Sequence, residues 1–292
     1  MKEFFATAYL KEVLSTHNLS PNRRLGQNFL ICSRVFSDLL ENAGVSSGDF
    51  VVEIGAGLGR LTVMLGERAG KVVSVEIDGG LFKLASKRIA ERGNVTLLHK
   101  DFLESKHRID PDISALVRRE RKGKPVKVVS NLPYQISSPA IINLLNWEQP
   151  VESMYLMLQR EVAERLVSGP GRSQYGPLSV FAAYGSHVRL LFKVPASAFW
   201  PRPEVSSAVV ELRRRKPNIE AVDYTLFSKV VRYLFQNRRK MLRKALKMGW
   251  GKSISEKVLE DTEIEGECRV EQLTVERIVA IANALSYILV NR

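Results

Sequence analysis

The chain has 292 residues, of which 45% are hydrophobic and 26% charged, and its formal net charge is +13 at pH 7. This composition excludes large-scale disorder, and the length favours one large domain with a smaller one appended. No apolar run approaches the ~20 residues of a membrane span, and the opening residues include Glu3 and Glu12, which a signal or transit peptide would lack. Cys32 and Cys268 lie far apart without the histidine spacing of a zinc site, so we expect a cytoplasmic protein without a metal centre.

Helices and loops are predicted for the first part of the chain, and from residue 50 onward short β-branched runs alternate with helical stretches. The predicted strands are 50–54, 71–77, 95–99, 126–130 and 153–158, and the predicted helices are 59–69, 79–92, 138–146 and 160–167. This alternation predicts an α/β fold, with a Rossmann-like, mostly parallel sheet covered by helices on both faces. The polar segment 105–126 is predicted to be a loop that contains a short helix.

The strand pattern changes towards the C-terminus. Two strand-like runs between 189 and 215 flank a proline-rich loop, which predicts an antiparallel edge to the sheet. After Pro217 only helical periodicity remains. We therefore expect a first domain over 1–215 and a small α-helical domain over 216–292.

Most of the excess positive charge lies in one segment. Between Leu212 and Lys252 there are thirteen basic residues and two acidic ones, a local charge of +11, whereas the rest of the chain is close to balanced. A localised basic segment favours contact with nucleic-acid phosphates, and the alternative is a solvated helix face. The residues predicted to make this contact are Arg238, Arg239, Arg243 and Lys244.

A closely spaced glycine motif follows the first predicted strand, on which Glu53 lies. The glycines are Gly55, Gly57 and Gly59. They let the backbone turn sharply and approach a ligand at the N-terminus of the next helix. The dinucleotide-binding fingerprint requires another glycine where this chain has Arg60, so that pattern is excluded. The remaining G-x-G-x-G after an acidic residue resembles the first motif of the S-adenosylmethionine-dependent methyltransferases.

Acidic residues follow the next two predicted strands. Glu76 lies nineteen residues after Gly57 and could accept both hydroxyls of a ribose, while Asp101 could accept a hydrogen bond from an adenine amine. Ile77 and Phe102 lie directly beside them. A lone acid after a strand is usually a helix cap or a solvated loop residue, but strands that end in Gly, Glu and Asp in succession predict one crevice for a nucleoside-bearing cofactor.

The fourth strand ends in the motif Asn131, Leu132, Pro133 and Tyr134. An amide oxygen, a stiffened turn and a flat ring suit a planar base with an exocyclic amine. The alternative is a proline-containing turn with a core tyrosine. The motif resembles the Asn/Asp-Pro-Pro-Tyr/Phe loop of methyltransferases that act on amino groups.

Motifs along most of the chain resemble the KsgA-type small-subunit ribosomal RNA adenine N6,N6-dimethyltransferase family. In chain order they are RRLGQNFL (23–30), EIGAGLGRLT (53–62), VEID (75–78), NLPYQISSP (131–139), MLQREVAERL (157–166), SQYGPLSV (173–180) and FWPRPEVSSAVVEL (199–212). The resemblance implies a class I methyltransferase sheet, S-adenosyl-L-methionine as cofactor, and two adjacent adenines of small-subunit (16S-type) rRNA as the target. It also implies a monomer that acts on immature small subunits and a C-terminal domain that binds RNA.

The resemblance also implies roles for individual residues. Those implied for the cofactor are Gln27, Asn28, Leu30, Glu53, Gly55, Gly57, Glu76, Ile77, Asp101, Phe102 and Asn131, and those implied for catalysis are Asn131, Leu132, Pro133, Tyr134 and Phe199. Tyr134 and Phe199 would hold the target adenine between their rings. The chain departs from the common family pattern at Cys32, where aspartate is usual, and at Ala56, where proline is frequent.

Other functions share some of these motifs. A methyltransferase of the erythromycin-resistance type, which acts on large-subunit rRNA, and a DNA adenine methyltransferase share the glycine turn and the aromatic loop. The motif at 199–212 and the basic helical tail weigh against the first, and LGQNFL weighs against the second. A non-catalytic ribosome-assembly factor on the same fold would not need Glu76, Asp101 and Asn131.

Overall fold

The computed structural model describes residues 6–22 and 25–290. Its α-helices are α1 Thr7–Thr16, α2 Ser33–Ala43, α3 Arg60–Gly66, α4 Gly79–Ile89, α5 Pro111–Glu120, α6 Ser137–Leu145, α7 Arg160–Leu166, α8 Pro177–Gly185, α9 Tyr224–Gln236, α10 Leu242–Trp250, α11 Lys252–Thr262 and α12 Val275–Val290. Its strands are β1 Phe29–Leu30, β2 Phe50–Ile54, β3 Lys71–Glu76, β4 Val95–His99, β5 Leu103–Ser105, β6 Arg108–Ile109, β7 Val126–Asn131, β8 Val151–Gln159, β9 Ser186–Val194, β10 Phe199–Trp200 and β11 Ser207–Arg214.

The main sheet has seven strands in the order β4-β3-β2-β7-β8-β11-β9. The five strands from β4 to β8 are parallel, and β11 pairs antiparallel with β8. The mostly parallel α/β sheet with an antiparallel edge is therefore confirmed. The chain proceeds outward from β2 to β4 on one side and then places β7 and β8 on the other, so the strand order reverses between β2 and β7. In open α/β sheets, ligands bind beyond the carboxyl ends of the strands at such a point.

Burial explains why the central strands form. All five residues of β2 are buried, and Val72, Val73 and Val75 of β3 are at most 2% exposed. Such continuous apolar runs are typical of parallel strands that are covered on both faces. The helix α2 joins the same core through its apolar face and ends at Gly44, whose φ of 54° is the left-handed conformation that favours glycine.

Two short pairs of strands were absent from the sequence prediction. The hairpin β5–β6 lies between residues 103 and 109. It is followed by the ten-residue helix α5, which is the short helix predicted within 105–126 and begins after the capping residue Asp110. The strands β1 and β10 form a separate two-stranded antiparallel sheet in which Leu30 is opposite Phe199. Two-residue strands have too few positions for an alternating pattern, and sequence periodicity therefore does not reveal them.

The structure divides into two compact units. One contains the described residues up to Ala163 together with Arg189–Arg214, and the other contains Glu164–Val188 and the described residues from Arg215 onward. The second unit therefore includes α8 as well as the helices that follow residue 215. In this unit the ring of Phe181 on α8 lies 6.1 Å from that of Phe227 on α9, and the Tyr175 hydroxyl donates to the Leu273 carbonyl at 2.9 Å.

Candidate functional site: a cavity at the carboxyl edge of the sheet

A cavity of about 250 Å³ lies in the first unit, at the carboxyl ends of β2, β3 and β7. Of the residues predicted for the cofactor and for catalysis, those that line it are Gln27, Asn28, Leu30, Glu53, Gly55, Gly57, Glu76, Ile77, Asp101, Asn131, Leu132, Pro133 and Tyr134. Phe102 and Phe199 are not in its lining. Parallel strands end at the same edge, which brings Gly55, Glu76 and Asn131 together, and the segment before β1 adds Gln27 and Asn28 from a separate part of the chain.

The glycine turn and the Asn131–Tyr134 loop are in direct contact. Gly55 has φ of 83°, and a Cβ atom added there would lie 2.8 Å from Cγ of Pro133. The backbone N–H of Gly55 donates to the Val75 carbonyl at 2.8 Å. Both the left-handed conformation and the close approach exclude a side chain at residue 55. The turn is consequently held between β3 and Pro133 with its backbone open to the cavity.

Glu76 has both carboxylate oxygens fixed by the backbone. Its Oε2 accepts from the Gly57 N–H at 2.6 Å and its Oε1 accepts from the Asp78 N–H at 2.8 Å. Burial raises the pKa of Glu76, and the backbone hydrogen bonds act in the opposite direction. A carboxylate oxygen can accept more than one hydrogen bond, so each oxygen can also accept from a hydroxyl in the cavity.

Glu53 is a second buried acid, only 1% exposed. Its Oε2 accepts from the hydroxyls of Thr62 and Ser74, each at 2.6 Å. Burial raises the pKa of Glu53 to about 7, although these two hydrogen bonds act to lower it. Through Thr62 and Ser74, Glu53 connects β2 to the first helical turn of α3 and to β3. These contacts hold the glycine turn between β2 and α3 in place.

Asp101 and its neighbour Phe102 face different environments. Asp101 is exposed, and its Oδ1 caps the following turn by accepting from the Leu103 N–H at 3.0 Å. Phe102 is 2% exposed and its ring packs edge-on against Trp147, with 6.3 Å between the ring centroids. Phe102 therefore serves the core, because adjacent residues in extended chain point in opposite directions.

His99, at the end of β4, is a residue that the sequence analysis missed. Its Nε2 lies 3.1 Å from the Ile77 carbonyl, and since a carbonyl can only accept, Nε2 carries the proton and donates. The His99 ring stacks on Phe82 with 5.0 Å between centroids. His99 consequently holds the backbone of Ile77 at the cavity wall. The sequence signal that could have identified His99 is its position at the end of a strand, two residues before Asp101.

The Asn131–Tyr134 loop is fixed from several sides. The Leu132 N–H donates to the Met157 carbonyl at 3.1 Å, and the Ser137 hydroxyl donates to the Pro133 carbonyl at 3.0 Å. The Tyr134 and Ser207 hydroxyl oxygens lie 2.7 Å apart. Burial raises the pKa of Tyr134, which keeps the phenol protonated. The loop therefore presents the Asn131 amide and the Tyr134 ring from a rigid backbone.

Phe199 is not brought together with Tyr134. It is 3% exposed and belongs to the core cluster that also contains Phe36 and Val194. On β10 the side chains alternate, so Phe199 enters this core while Trp200 packs with Leu10 and its neighbours under α1. In this structure Tyr134 lines the cavity and Phe199 packs in the core next to β1, and the predicted pair of rings around a base stays a prediction.

The residues before β1 cover another side of the cavity, although Arg23 and Arg24 of the RRLGQNFL motif lie outside the described residues. The Asn28 amide donates to the Gly26 carbonyl at 3.1 Å, and the Gln27 amide donates to Asp78 Oδ2 at 3.1 Å. The Leu30 carbonyl accepts from Arg60 Nη1 at 3.0 Å.

Arg60 and Asp78 were not among the predicted site residues. Arg60 lines the cavity at only 4% exposure, and burial, with a smaller effect from Arg88, lowers the pKa of Arg60 to about 10. Asp78 connects Gln27 to the loop that follows β3. Both residues lie in motifs quoted above, EIGAGLGRLT and VEID, but neither motif indicates their partners, which come from distant segments.

The four cations predicted to bind RNA, Arg238, Arg239, Arg243 and Lys244, form what we call the basic surface of the second unit. Two of them are paired: Arg238 Nε donates to Glu271 at 3.1 Å and its Nη1 to the Ser173 carbonyl at 3.0 Å, while Arg243 Nη2 donates to Glu267 at 3.1 Å. Arg239 and Lys244 are exposed.

Comparisons with known proteins show which family the sequence matches. The profile of the family described as Ribosomal RNA adenine dimethylase matches residues 18–286. A Ribosomal RNA small subunit methyltransferase A from Alkaliphilus oremlandii is 36% identical over 280 residues, which cover 94% of this chain and 96% of the relative. A protein of the same name from Bacillus cereus is 35% identical over 98% of both chains.

Two solved structures resemble the fold. A dimethyladenosine transferase from Plasmodium falciparum has a TM-score of 0.70 at 25% identity, covering 86% of this chain and 94% of the other. The 23S rRNA methyltransferase ErmE has a TM-score of 0.65 at 24% identity, covering 89% of this chain and 100% of the other. This likeness shows a shared fold and no more. Across residues 6–22 and 25–290, no helix is long and apolar enough to cross a membrane.

Proposed function

The chain belongs to the ribosomal RNA adenine dimethylase family and is an S-adenosylmethionine-dependent methyltransferase, and from that premise we propose that it dimethylates N6 of two adjacent adenines in small-subunit rRNA. One observation carries the proposal. Asn131 and Tyr134 at the end of β7 share a single cavity with the glycine turn after β2 and with Glu76 after β3. The residues predicted to bind the cofactor and the loop predicted to hold the target amine therefore line the same cavity.

The residues of the cavity fit the methyl donor. At Gly55 a Cβ would clash with Pro133, so only glycine keeps the turn backbone beside the cavity, and Glu76 has both oxygens directed by backbone donors. We assign the ribose hydroxyls to Glu76, the adenine amine to Asp101, and the methionine end to Asn28 and Leu30, with Gln27 beside them. S-adenosylmethionine supplies an electrophilic methyl group when it is bound.

Asn131 and Leu132 act on the target amine in this proposal. The N6 lone pair of adenine is delocalised into the ring, which makes the nitrogen a poor nucleophile. If the Asn131 amide oxygen and the Leu132 carbonyl accept the two N6 hydrogens, the nitrogen is drawn towards tetrahedral geometry and its lone pair is directed into the cavity. No strong base is needed, since the amine becomes more acidic as it is alkylated and its proton can leave to water. Positioning is the main catalytic contribution.

Tyr134 receives the base. An adenine inside a helix cannot reach such a cavity, so the target is unpaired or flipped out and stacks on an aromatic face. The hydrogen bond between Tyr134 and Ser207 fixes the ring plane for this contact. Phe199 contributes indirectly, because its pairing with Leu30 supports the strand that covers the cofactor end.

The basic surface supports the RNA part of the proposal through its exposed members. Arg239 and Lys244 are directed to solvent, whereas Glu271 and Glu267 already neutralise much of the charge of Arg238 and Arg243. We therefore assign phosphate contacts to Arg239 and Lys244 first. We propose that the chain acts on this substrate as a monomer in the cytoplasm, where small subunits are assembled.

The test uses tritiated S-adenosylmethionine with immature small subunits, large subunits and duplex DNA in separate reactions, followed by mapping of the labelled nucleotides. We expect N6,N6-dimethyladenine at two adjacent positions of small-subunit rRNA alone. Label in large-subunit rRNA would favour the erythromycin-resistance activity. Binding of small subunits without any label would favour a non-catalytic assembly factor.

A further inference from the structure

Asp78 divides its two carboxylate oxygens between different parts of the first unit. Its Oδ1 caps α4 by accepting from the N–H groups of Gly80 and Leu81, at 2.9 and 3.0 Å. Its Oδ2 accepts from the Gln27 side-chain amide at 3.1 Å, across 51 positions of sequence. A helix cap requires only the first of these contacts. The second joins the segment before β1 to the loop after β3.

The contact between Gln27 and Asp78 belongs to a continuous network that passes through the cofactor cavity. At one end, Gln27 Oε1 accepts from the Asn22 N–H at 2.9 Å. At the other, the Asp78 N–H donates to Glu76 Oε1 at 2.8 Å, and Glu76 Oε2 accepts from the Gly57 N–H at 2.6 Å. Gln27, Glu76 and Gly57 all line the cavity.

This connectivity has a mechanical consequence. Asp78 fixes the carboxylate of Glu76 through its backbone and fixes Gln27 through its side chain, so the two walls of the cavity cannot shift independently while both bonds are present. An amide-to-carboxylate hydrogen bond is charge-assisted and stronger than a bond between neutral groups. Release of a molecule held between Gln27 and Glu76 therefore requires this bond to open or the walls to move together.

We propose that Asp78 is a positioning residue that holds Gln27 against the ribose-binding side of the cavity and thereby sets how long the methyl donor remains bound. The inference rests on the proposed assignment of Glu76 to the cofactor ribose. Asp78 itself need not touch the cofactor in this proposal. It acts by holding the Gln27 side chain in place.

A reciprocal exchange of side chains tests the contact. Gln27→Glu places two carboxylates against each other, and Asp78→Asn places two amide donors against each other. The double variant restores one donor and one acceptor with the net charge unchanged, and it retains an oxygen for the Asn22 N–H and another for the α4 cap. The measurement is the rate at which tritiated S-adenosylmethionine leaves the full-length protein after a chase with unlabelled cofactor, without RNA.

We expect each single variant to release the cofactor about tenfold faster than the wild type, and the double variant to return to within about threefold of it. Asp110→Asn is the matched control, because Asp110 caps α5 with the same pair of backbone bonds, but its other carboxylate contact is with Lys100, which does not line the cavity. It should lower the melting temperature about as much as Asp78→Asn and leave the release rate unchanged.

A double variant that releases the cofactor as fast as the faster single variant would overturn the inference and leave Asp78 as a helix cap only. Unchanged release from both single variants would overturn it as well. The proposed function fails differently: wild-type protein that binds S-adenosylmethionine normally but labels no rRNA would contradict the substrate while the exchange experiment still decides the role of Asp78.

Discussion

The cavity of the first unit and the basic surface of the second hold their charged groups in opposite ways. In the cavity, Glu53 and Glu76 are at most 5% exposed, and the hydrogen bonds of each come from neighbouring strands and turns. On the basic surface the cations are partly or fully solvated, and acids from a later segment decide which of them are neutralised. The buried acids are thus each held by hydrogen bonds from the elements packed around them, whereas the charge of an exposed cation depends on whether an acid lies beside it.

The largest expected effect lies at the amine-holding end of the cavity. Asn131→Ala removes the acceptor assigned to the adenine amine and should lower the methylation rate about a thousandfold, while the dissociation constant of S-adenosylmethionine changes by less than about fivefold. The measurements are single-turnover methylation and calorimetric binding. Asn146→Ala is the control, since its amide only donates to the Ile142 carbonyl on the exposed side of α6. Undiminished turnover in Asn131→Ala would remove the proposed role.

A second test separates backbone conformation from close packing in the glycine turn. Gly55 and Gly123 both have φ of 83°, but only Gly55 is in contact with a neighbour, Pro133, and nothing lies within 4 Å of a Cβ at Gly123. Gly123→Ala should cost about 1–2 kcal/mol of unfolding free energy, and Gly55→Ala about 4 kcal/mol, because overpacking adds to the backbone strain. Urea unfolding measures both. Equal losses would show that the contact with Pro133 is unimportant.

The third test concerns the buried acid beneath the turn. The folded-state pKa of Glu53 is raised from 4.5 to about 7, so its stabilising contribution is complete below the lower value and is lost as the pH rises through the higher one. Glu53→Gln removes this titration. The unfolding free energy of the variant relative to wild type should therefore rise by on the order of 3 kcal/mol from about pH 4 to about pH 8.

Urea unfolding across that pH range measures the difference. The exposed Glu152 on β8 offers the control variant Glu152→Gln, which should follow the wild-type pH dependence closely. A constant difference between Glu53→Gln and wild type across the range would mean that the pKa of Glu53 is the same in the folded and the unfolded protein.

The smallest effect is expected on the basic surface, where two pairs of substitutions remove the same charge. Arg239→Gln with Lys244→Gln should weaken binding of a small-subunit rRNA fragment about tenfold and reduce the slope of log affinity against log salt by one to two. Arg238→Gln with Arg243→Gln should change the slope by less than one, since Glu271 and Glu267 already offset these arginines. Filter binding over a salt series measures both.

Equal slopes for the two pairs would show that total charge matters and the ion pairs do not. An unchanged slope for both would restore the interpretation of this surface as a solvated helix face. In either case the affinity for S-adenosylmethionine should stay unchanged, because these residues belong to the second unit and the cavity to the first.

The mostly parallel sheet and the family could be predicted from the sequence, and both are confirmed. The grouping of Gly55, Glu76 and Asn131 at one edge was also predictable, because each directly follows or ends a buried parallel strand and such strands end together. The roles assigned to these residues stay predictions. What the sequence determined is therefore local: a strand, the turn that follows it, and the polar side chain placed there.

Tertiary structure alone decided the rest. Phe199 faces the core because β10 pairs with β1, Asp78 serves Gln27 across 51 positions, and Arg238 is held by Glu271 from a later segment. Residues 164–188 join the second unit because α8 is apolar and packs with α9. The physical reason is common to all four: hydrogen bonding and burial depend on neighbours in space, and for these residues the neighbours are distant in sequence.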